Sequence, residues 1–228
     1  MKLPKQFFVT GIGTGIGKTI CSAVLAEYLQ ADYWKPIQSG DLDQSDSILV
    51  EQMISKNLKI HTERYRLKLA ASPHKSAAEE QLNLKLEDFT LPQTNNPLIV
   101  EGAGGLFVPL SDTVLMSDLI RHFSIPIVLI ARDYLGCINH TLLTLKALQA
   151  ENIPLCCFVF NGVFDPDAQR VITAFLPTGI PILQLPDITV LEPASIQKAA
   201  KQIKILNHKK NEQTSKTRLD QKRNSSYL

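Results

Sequence analysis

A glycine-rich run between an apolar run and an amphipathic stretch is the feature that most constrains the fold of this chain. Residues 10–19 read TGIGTGIGKT, between a candidate strand at Phe7–Thr10 and a candidate helix at Lys18–Gln30. Closely spaced glycines let the backbone curl so that successive N–H groups point inward at an anion. The positive N-terminal end of the following helix strengthens such a site. The order strand, loop, helix favours a fold in which these two element types alternate.

The same alternation continues along most of the chain. We predict further strands at Asp32–Lys35, Leu98–Glu101, Ile127–Ala131, Leu155–Asn161 and Ile182–Leu185. We predict further helices at Ser45–Ile54, Val114–His122, Ile138–Ala150, Pro166–Phe175 and Pro193–Leu206. Nearly continuous apolar strands are typical of a sheet that helices cover on both faces. The fold class is therefore α/β, a single P-loop NTPase-like domain with a mostly parallel sheet.

The two remaining parts of the chain are less regular. Residues 56–96 show no clear periodicity, so we expect short helices or a lid there. We place the domain at residues 1–206 and expect residues 207–228 to be a polar, basic and disordered tail. The tail carries six Lys/Arg against two acids, so the formal charge of +2 for the whole chain hides a body that is slightly acidic.

Composition excludes several classes of protein. A slightly acidic body argues against a nucleic-acid-binding surface, which depends on clustered Lys and Arg. No stretch approaches the ~20 apolar residues needed to span a bilayer, and no apolar signal core precedes the first strand. The four cysteines form no CxxC pair, so we expect no disulfide framework. We expect a protein of the reducing cytoplasm, bound neither to membranes nor to nucleic acid.

The glycine-rich run has the chemistry of a phosphate loop. In such loops the lysine reaches the β- and γ-phosphates and the following hydroxyl binds magnesium, roles that Lys18 and Thr19 would take. The standard spacing requires glycine where this chain has Ile12, so the loop is one residue longer. The dinucleotide fingerprint fails because Ile16 occupies its third glycine position, and hydride-transfer chemistry loses its main support. A glycine-rich turn without a ligand is the alternative, but the order strand, Gly-Lys-Thr, helix favours nucleotide binding.

Polar residues that follow the other strands form a candidate catalytic and metal-binding set. Ligands of parallel sheets bind at the carboxyl ends of the strands, where Lys35 and Glu101 lie. Lys35 would neutralise charge during phosphoryl transfer. Without the neighbouring phosphate loop, the favoured interpretation would be a solvated surface lysine. Asp46, at a helix start, is either a helix cap or a magnesium ligand. Magnesium prefers few carboxylates together with waters and phosphate oxygens, so Thr19, Asp46 and Glu101 form a plausible set.

A second candidate anion site lies at the predicted helix start after the fourth strand. Free N–H groups at Gly136–Asn139 would hold an anion such as a carboxylate. Cys137 and His140 look like a nucleophile and its base, but residues three apart on a helix are more often packing residues. Nothing else in the sequence demands covalent catalysis.

Taken together, the motifs GIGTGIGKT, KPIQSG, SDSI, ASPH, VEGAGGLFVPLSD and LGCINHTLLT resemble those of the dethiobiotin synthetase family. The match runs from about Phe7 to Pro186 and includes the longer phosphate loop. The resemblance implies a homodimeric, ATP- and Mg²⁺-dependent cyclo-ligase of biotin biosynthesis. Its substrates would be 7,8-diaminononanoate and CO₂, and its products dethiobiotin, ADP and phosphate. The substrate supplies both amines, so the protein needs only to position groups and neutralise charge.

The resemblance also implies a role for each matching residue. Lys35 and Lys18 would be catalytic, and Thr19, Asp46 and Glu101 would bind the metal. The nucleotide would contact the metal-binding set together with Thr14, Gly15, Ile16, Gly17, Lys18, Gly102, Ala103, Gly104, Asn161, Gln184, Leu185 and Pro186. The diamine end would contact Thr14 and Ser39. The substrate carboxylate from the neighbouring subunit would be received by Gly136, Cys137, Ile138 and Asn139.

Two other functions share parts of this pattern. A switch ATPase of the partition or septum type would carry a second lysine at the position of Ile12. A C-terminal amphipathic helix with a basic tail fits such a protein superficially, and lipid or DNA would then stimulate turnover. A cofactor amidoligase would need an ammonia source, often an attached glutaminase domain, and we expect that the chain has no room for such a domain. Dependence of ATP turnover on a diamine and CO₂ separates the expected ligase from the switch.

Overall fold

A computed structural model describes residues 3–206 of the chain. Within these residues an eight-stranded sheet has the order β10-β9-β8-β7-β1-β6-β2-β4, and β3 pairs with β5 in a small second sheet. The strands are β1 (Gln6–Gly11), β2 (Asp32–Trp34), β3 (Ile37–Ser39), β4 (Ile60–His61), β5 (Tyr65–Leu67), β6 (Leu98–Gly105), β7 (Ile127–Arg132), β8 (Leu155–Asn161), β9 (Ile182–Leu185) and β10 (Lys204–Leu206). Every pairing is parallel except that of β10 with β9.

The helices connect these strands in the manner of βαβ units. They are α1 (Lys18–Leu29), α2 (Asp46–Met53), α3 (Pro73–Glu79), α4 (Met116–Phe123), α5 (Cys137–Ala150), α6 (Pro166–Phe175) and α7 (Pro193–Lys201). Two of them begin at a polar cap. Ser45 accepts a hydrogen bond from the Ile48 N–H at the start of α2, and Asp165 accepts from two N–H groups at the start of α6. The mostly parallel α/β fold of the P-loop type is confirmed.

The hydrophobic core is centred on strand β1. This strand lies between β6 and β7, and its residues Phe7, Phe8 and Val9 are fully buried. The residues of β7 from Ile127 to Ala131 are fully buried as well. Runs without alternation arise because helices cover both faces of these central strands. The rigid centre of the sheet therefore carries the loops that follow β1, β6 and β7.

Parts of the predicted secondary structure are wrong at the edges of the sheet. The predicted helix Pro193–Leu206 ends at Lys201, and the chain returns as the antiparallel strand β10. Ile203 and Ile205, on either side of Lys204, are β-branched residues, which favour a strand over a helix. Residues 56–96 contain α3 as expected, and also β4 and β5, which the sequence did not predict.

Two expectations about the rest of the chain have different outcomes. The predicted tail at residues 207–228 lies outside the described residues, so its disorder stays a prediction. Within residues 3–206, no helix is both long and apolar enough to cross a membrane.

Candidate active site

The phosphate loop closes around the start of α1. Gly17 caps the helix with a φ of 83°, a left-handed conformation that glycine adopts without strain. The Asn161 side-chain amide, at the end of β8, donates a hydrogen bond of 2.8 Å to the Ile16 carbonyl. The Lys18 ammonium donates to the Gly13 carbonyl at 3.1 Å. The loop thus curls over α1 and is tied to a neighbouring strand.

Replacing Gly17 with alanine is expected to weaken nucleotide binding by at least ~10-fold. A Cβ at Gly17 would lie 2.4 Å from the Asn161 amide nitrogen, which would break the bond that fixes the loop. Gly179→Ala is the matched control, because Gly179 has a similar φ of +86° but nothing within 4 Å of the added Cβ. Titration with a fluorescent ATP analogue measures both variants. Equal affinity of Gly17→Ala and wild type would contradict this role of the loop.

Oxygen and ammonium groups from four elements meet beside the loop. The Thr19 hydroxyl lies 2.9 Å from an oxygen of Asp46 and 3.1 Å from one of Glu101. The Lys35 ammonium lies 2.7 Å from Asp46 and 3.4 Å from Glu101. The Tyr33 hydroxyl donates to the other oxygen of Glu101 at 3.1 Å. The fold brings these side chains together from α1, α2, β6 and the end of β2.

The charges of this cluster stabilise one another. Burial alone would lower the pKa of Lys35, but the carboxylates of Glu101 and Asp46 outweigh it and raise that pKa. Burial would likewise raise the pKa of Asp46, but Lys35 and the Thr19 hydrogen bond hold it below its usual value. Burial lowers the pKa of Lys18 despite the nearby acids. Lys35 and Asp46 therefore keep their charges across the neutral pH range.

The donor set fits a magnesium ion. Thr19, Asp46 and Glu101 offer oxygen ligands only, which a small hard cation such as Mg²⁺ prefers. The Thr19 hydroxyl already lies within hydrogen-bond distance of both carboxylates, so one cation could contact all three groups. Among the described residues, no group of three or more His, Cys, Asp or Glu side chains could hold a metal by itself. The set therefore suits an ion that takes its remaining ligands from water and phosphate.

A cavity of about 640 Å³ opens from this cluster toward α3. Its wall includes Lys18, Lys35 and the chain at Ala70–Pro73. The Ser39 hydroxyl is buried beside the cavity and has no hydrogen-bond partner among the described residues. The cavity also has apolar lining residues, Ile37, Leu49 and Val108. It can hold a molecule with polar groups at one end and an aliphatic chain.

A second cavity, of about 740 Å³, lies at the ends of β8 and β9. It is lined by Gln184, Leu185 and Pro186, three of the residues expected to contact the nucleotide base, and by Gly162. Asn161 is adjacent, but its amide is engaged with Ile16 in the phosphate loop. The cavity therefore lies next to a residue that binds the phosphate loop, as a nucleoside site would.

Several predicted site residues lie elsewhere. Gly102 packs against Phe8 and Met116 in the core, where a Cβ would lie 2.6 Å from the Phe8 ring, so it does not line the cavity. Its neighbours Ala103 and Gly104 do line it, with Thr14 and Gly15. The anion-site residues Gly136, Cys137, Ile138 and Asn139 are not part of the wall around Lys18 and Lys35.

The apparent cysteine–histidine pair does not form. The Cys137 thiol donates to Asp133 at 3.5 Å, and His140 bonds to the Tyr134 hydroxyl at 2.7 Å. Burial and the Asp133 carboxylate raise the pKa of Cys137. A thiol that holds its proton this firmly is a poor nucleophile.

Sequence reasoning missed the residues that orient the cluster. Tyr33 lies two positions before Lys35, which could have suggested a shared face of the strand. The Gln38 side chain accepts a hydrogen bond from the Asp46 backbone at 3.2 Å, a contact that no sequence pattern signals.

Comparison with known proteins identifies the family to which this chain belongs. A family profile described as an AAA domain matches residues 5–195. The ATP-dependent dethiobiotin synthetase BioD of Cytophaga hutchinsonii is 46% identical over 170 residues, which are 74% of this chain and 82% of that protein. The chain belongs to the dethiobiotin synthetase family. The resemblance inferred from the motifs is confirmed.

Other relatives in the family extend the match. The enzyme of the same name from Christiangramia forsetii is 42% identical over 171 residues, 75% of this chain and 82% of that one. The biotin biosynthesis bifunctional protein BioCD of Bordetella avium is 40% identical over 206 residues, which cover 89% of this chain and 44% of that longer protein.

A solved structure of a ParA family ATPase from Chlorobium tepidum shares the fold of this chain. It has a TM-score of 0.53 and 14% identity, and the match covers 86% of this chain and 97% of that one. Identity this low supports a common fold and no more. At the position where a switch ATPase would carry its second lysine, this chain has the buried Ile12.

Proposed function

We propose that this chain converts 7,8-diaminononanoate and CO₂ into dethiobiotin, with ATP and Mg²⁺, as a step of biotin biosynthesis. Membership of a family whose relatives are named ATP-dependent dethiobiotin synthetases supports the proposal. The observation that carries it in this chain is the Lys35 ammonium. It is buried between Asp46 and Glu101 and lies in the same cavity as the phosphate-loop Lys18.

The proposed reaction has three balanced steps. One amine of the substrate adds to CO₂ and loses a proton, which gives a carbamate. A carbamate oxygen attacks the γ-phosphorus of ATP, and ADP leaves with the electrons of the broken P–O bond. The second amine then attacks the carbonyl carbon of the mixed anhydride and gives up one proton to the departing phosphate as the C–O bond breaks, and the cyclic urea forms. No protein nucleophile takes part, which agrees with the protonated state of Cys137.

The two lysines have separate places in this scheme. Lys18 follows the loop that would surround the β- and γ-phosphates. Lys35, which follows β2 and lines the same cavity, would hold the carbamate oxygen against the γ-phosphorus and neutralise the charge that moves between them. Its raised pKa keeps the ammonium charged while negative charge gathers around it. Ser39 and Thr14 would contact the carbamate and the diamine end.

Thr19, Asp46 and Glu101 would hold the magnesium ion. When bound, the ion supplies charge neutralisation at the phosphate oxygens. The second cavity, at Gln184–Pro186, would take the base. Asn161 would lie beside the base, and its side-chain amide holds the phosphate loop through the Ile16 carbonyl.

A second copy of the chain would complete the site. The start of α5 at Gly136–Asn139 lies outside the cavity of Lys35 and would receive the substrate carboxylate from the partner. The Cys137 N–H already donates to the Tyr134 carbonyl at 2.9 Å, so the N–H groups of Gly136, Ile138 and Asn139 would bind it. Apolar side chains nearby are exposed: Leu135 is fully exposed, and Phe107 and Leu143 are about half exposed beside one shared cavity. Burial of these residues in a homodimer would remove an apolar patch from water.

Release of ADP by the purified chain tests the proposal. With magnesium, ATP and bicarbonate, ADP release should require 7,8-diaminononanoate and should stop when either bicarbonate or the diamine is left out. A mono-amine of the same length is the matched control, because it can form a carbamate but cannot close the ring; any ADP release that it supports should come without a cyclic urea. Turnover that ignores the diamine but responds to lipid or DNA would overturn the ligase in favour of a switch ATPase.

A further inference from the structure

An ion pair outside the cavity, between Glu63 and Arg66, has no role in the chemistry described so far; its carboxylate is buried and its guanidinium is exposed. Glu63 is 9% exposed, and both of its carboxylate oxygens accept from one nitrogen of Arg66, at 3.2 Å each. Neither residue lines the cavity of Lys35. Burying a carboxylate costs free energy unless other groups bind it, so the groups that bind Glu63 indicate its structural role.

Glu63 and Arg66 bind the two ends of a short segment that leads into α2. A second Arg66 nitrogen donates to the Leu42 carbonyl at 2.9 Å. The hydroxyl of Ser45, which is fully buried, lies 3.4 Å from a Glu63 oxygen. Leu42 and Ser45 bound this four-residue segment.

The held segment ends where the candidate metal ligand begins. Ser45 caps α2, and Asp46 is the first residue of that helix. The chain before it turns sharply, since Gly40 and Asp41 both have positive φ values, of 75° and 50°. Residues Leu42–Gln44 form a single 3₁₀ turn in which the Gln44 N–H donates to the Asp41 carbonyl at 3.0 Å, and the side chains of Glu63 and Arg66 add to this local bond. Gln38, which pairs in register with Arg66, also binds the Asp46 N–H.

We propose that Glu63 and Arg66 are positioning residues that fix the Asp46 carboxylate for the magnesium–nucleotide complex. They act through the Leu42–Ser45 segment and touch neither the nucleotide nor the substrate. The inference rests on the proposed function, because it takes Asp46 to be a metal ligand. Loss of a residue that orients a metal ligand without touching the metal commonly weakens metal binding by roughly 10- to 100-fold.

The test uses a double variant that leaves no unpaired buried charge. Arg66→Met alone would strand the Glu63 carboxylate in the interior and destabilise the fold for that reason. Glu63→Gln combined with Arg66→Met removes both charges together while keeping similar side-chain volumes. Arg64→Met is the matched control, since Arg64 lies beside the same strand but pairs with Asp88 at the surface.

Two measurements on the full chain separate positioning from folding. The first is the affinity for a fluorescent ATP analogue with and without Mg²⁺. The factor by which Mg²⁺ increases the affinity for the ATP analogue should be about 10-fold smaller in the double variant than in wild type. The affinity without Mg²⁺ should differ by less than about twofold between the two proteins. The second is backbone hydrogen exchange without metal or nucleotide. Exchange at residues 42–48 should rise in the double variant, and Arg64→Met should match wild type in both measurements.

Each outcome decides one claim. Wild-type exchange at residues 42–48 in the double variant would overturn the positioning role, and so would an undiminished effect of Mg²⁺. If Mg²⁺ does not change the nucleotide affinity of the wild-type chain, the proposed metal site fails instead. In that case hydrogen exchange alone decides whether the ion pair holds the segment.

Discussion

Replacing Lys35 with alanine should lower kcat by roughly 10³-fold while ATP affinity changes less than about threefold. The expected loss is large because Lys35 is the ammonium that faces the proposed carbamate and transferring phosphoryl group. Binding of ATP is expected to survive because the phosphate loop and Lys18 approach the nucleotide from another element. Single-turnover phosphoryl transfer and titration with a fluorescent ATP analogue measure the two quantities separately.

Two further variants keep this prediction testable if Lys35→Ala folds poorly. The substitution leaves the fully buried Glu101 without its nearest cation, so a lower Tm is expected. Lys35→Arg keeps the charge but changes the shape of the donor, and it should fold while remaining strongly impaired. Lys56→Ala, at an exposed lysine, is the control for loss of a positive charge. Turnover near the wild-type rate in a folded Lys35→Ala variant would remove Lys35 from the mechanism.

Replacing Glu101 with glutamine should lower kcat/KM by about 100-fold and raise the Mg²⁺ concentration needed for half-maximal turnover by at least ~10-fold. The side chain is fully buried and accepts hydrogen bonds from Thr19, Tyr33 and Lys35. Glutamine keeps the shape: its carbonyl oxygen can accept from Thr19 and Lys35, and its NH2 group can donate to the Tyr33 hydroxyl oxygen, so the fold should persist. Initial rates over a range of Mg²⁺ concentrations measure the effect.

The control for Glu101→Gln is the same substitution at a carboxylate remote from the chemistry. Glu27 lies near the end of α1 and binds the backbone and hydroxyl of Ser55, so Glu27→Gln should leave the magnesium dependence unchanged. A magnesium dependence that is unaffected in Glu101→Gln would exclude Glu101 from the metal site.

The central fold could be predicted because its strands are long and mostly apolar. Strands β1, β6, β7 and β8 each read as an apolar run, and the helices after them have ordinary lengths. The short strands β4, β5 and β10 have two or three residues each, too few to show a period. They exist because an adjacent strand offers unpaired backbone groups, which is a tertiary effect. The helix predicted to continue to Leu206 failed for this reason.

The grouping of the site residues could also be predicted, but the contacts that orient them could not. Lys35, Glu101 and the phosphate loop follow parallel strands, and the carboxyl ends of such strands meet at one edge of a sheet. Glu63 and Arg66 gave no such signal, because they bind a segment about 20 positions earlier in the chain. Gly102 was expected in the site with its neighbours, yet alternation along β6 turns it toward Phe8.

The fate of oxygen from CO₂ tests the central claim, that this site phosphorylates a carbamate, most directly. The chain would be mixed with ATP, Mg²⁺ and 7,8-diaminononanoate, and then with freshly dissolved ¹³C¹⁸O₂ for less time than its oxygen needs to exchange with water. Mass spectrometry would follow the phosphate and the cyclic urea. The proposed mechanism predicts ¹³C in the ring and one ¹⁸O in the released phosphate, because the bridging oxygen of the mixed anhydride leaves with phosphorus. Phosphate without ¹⁸O, or ADP release without a labelled ring, would contradict it.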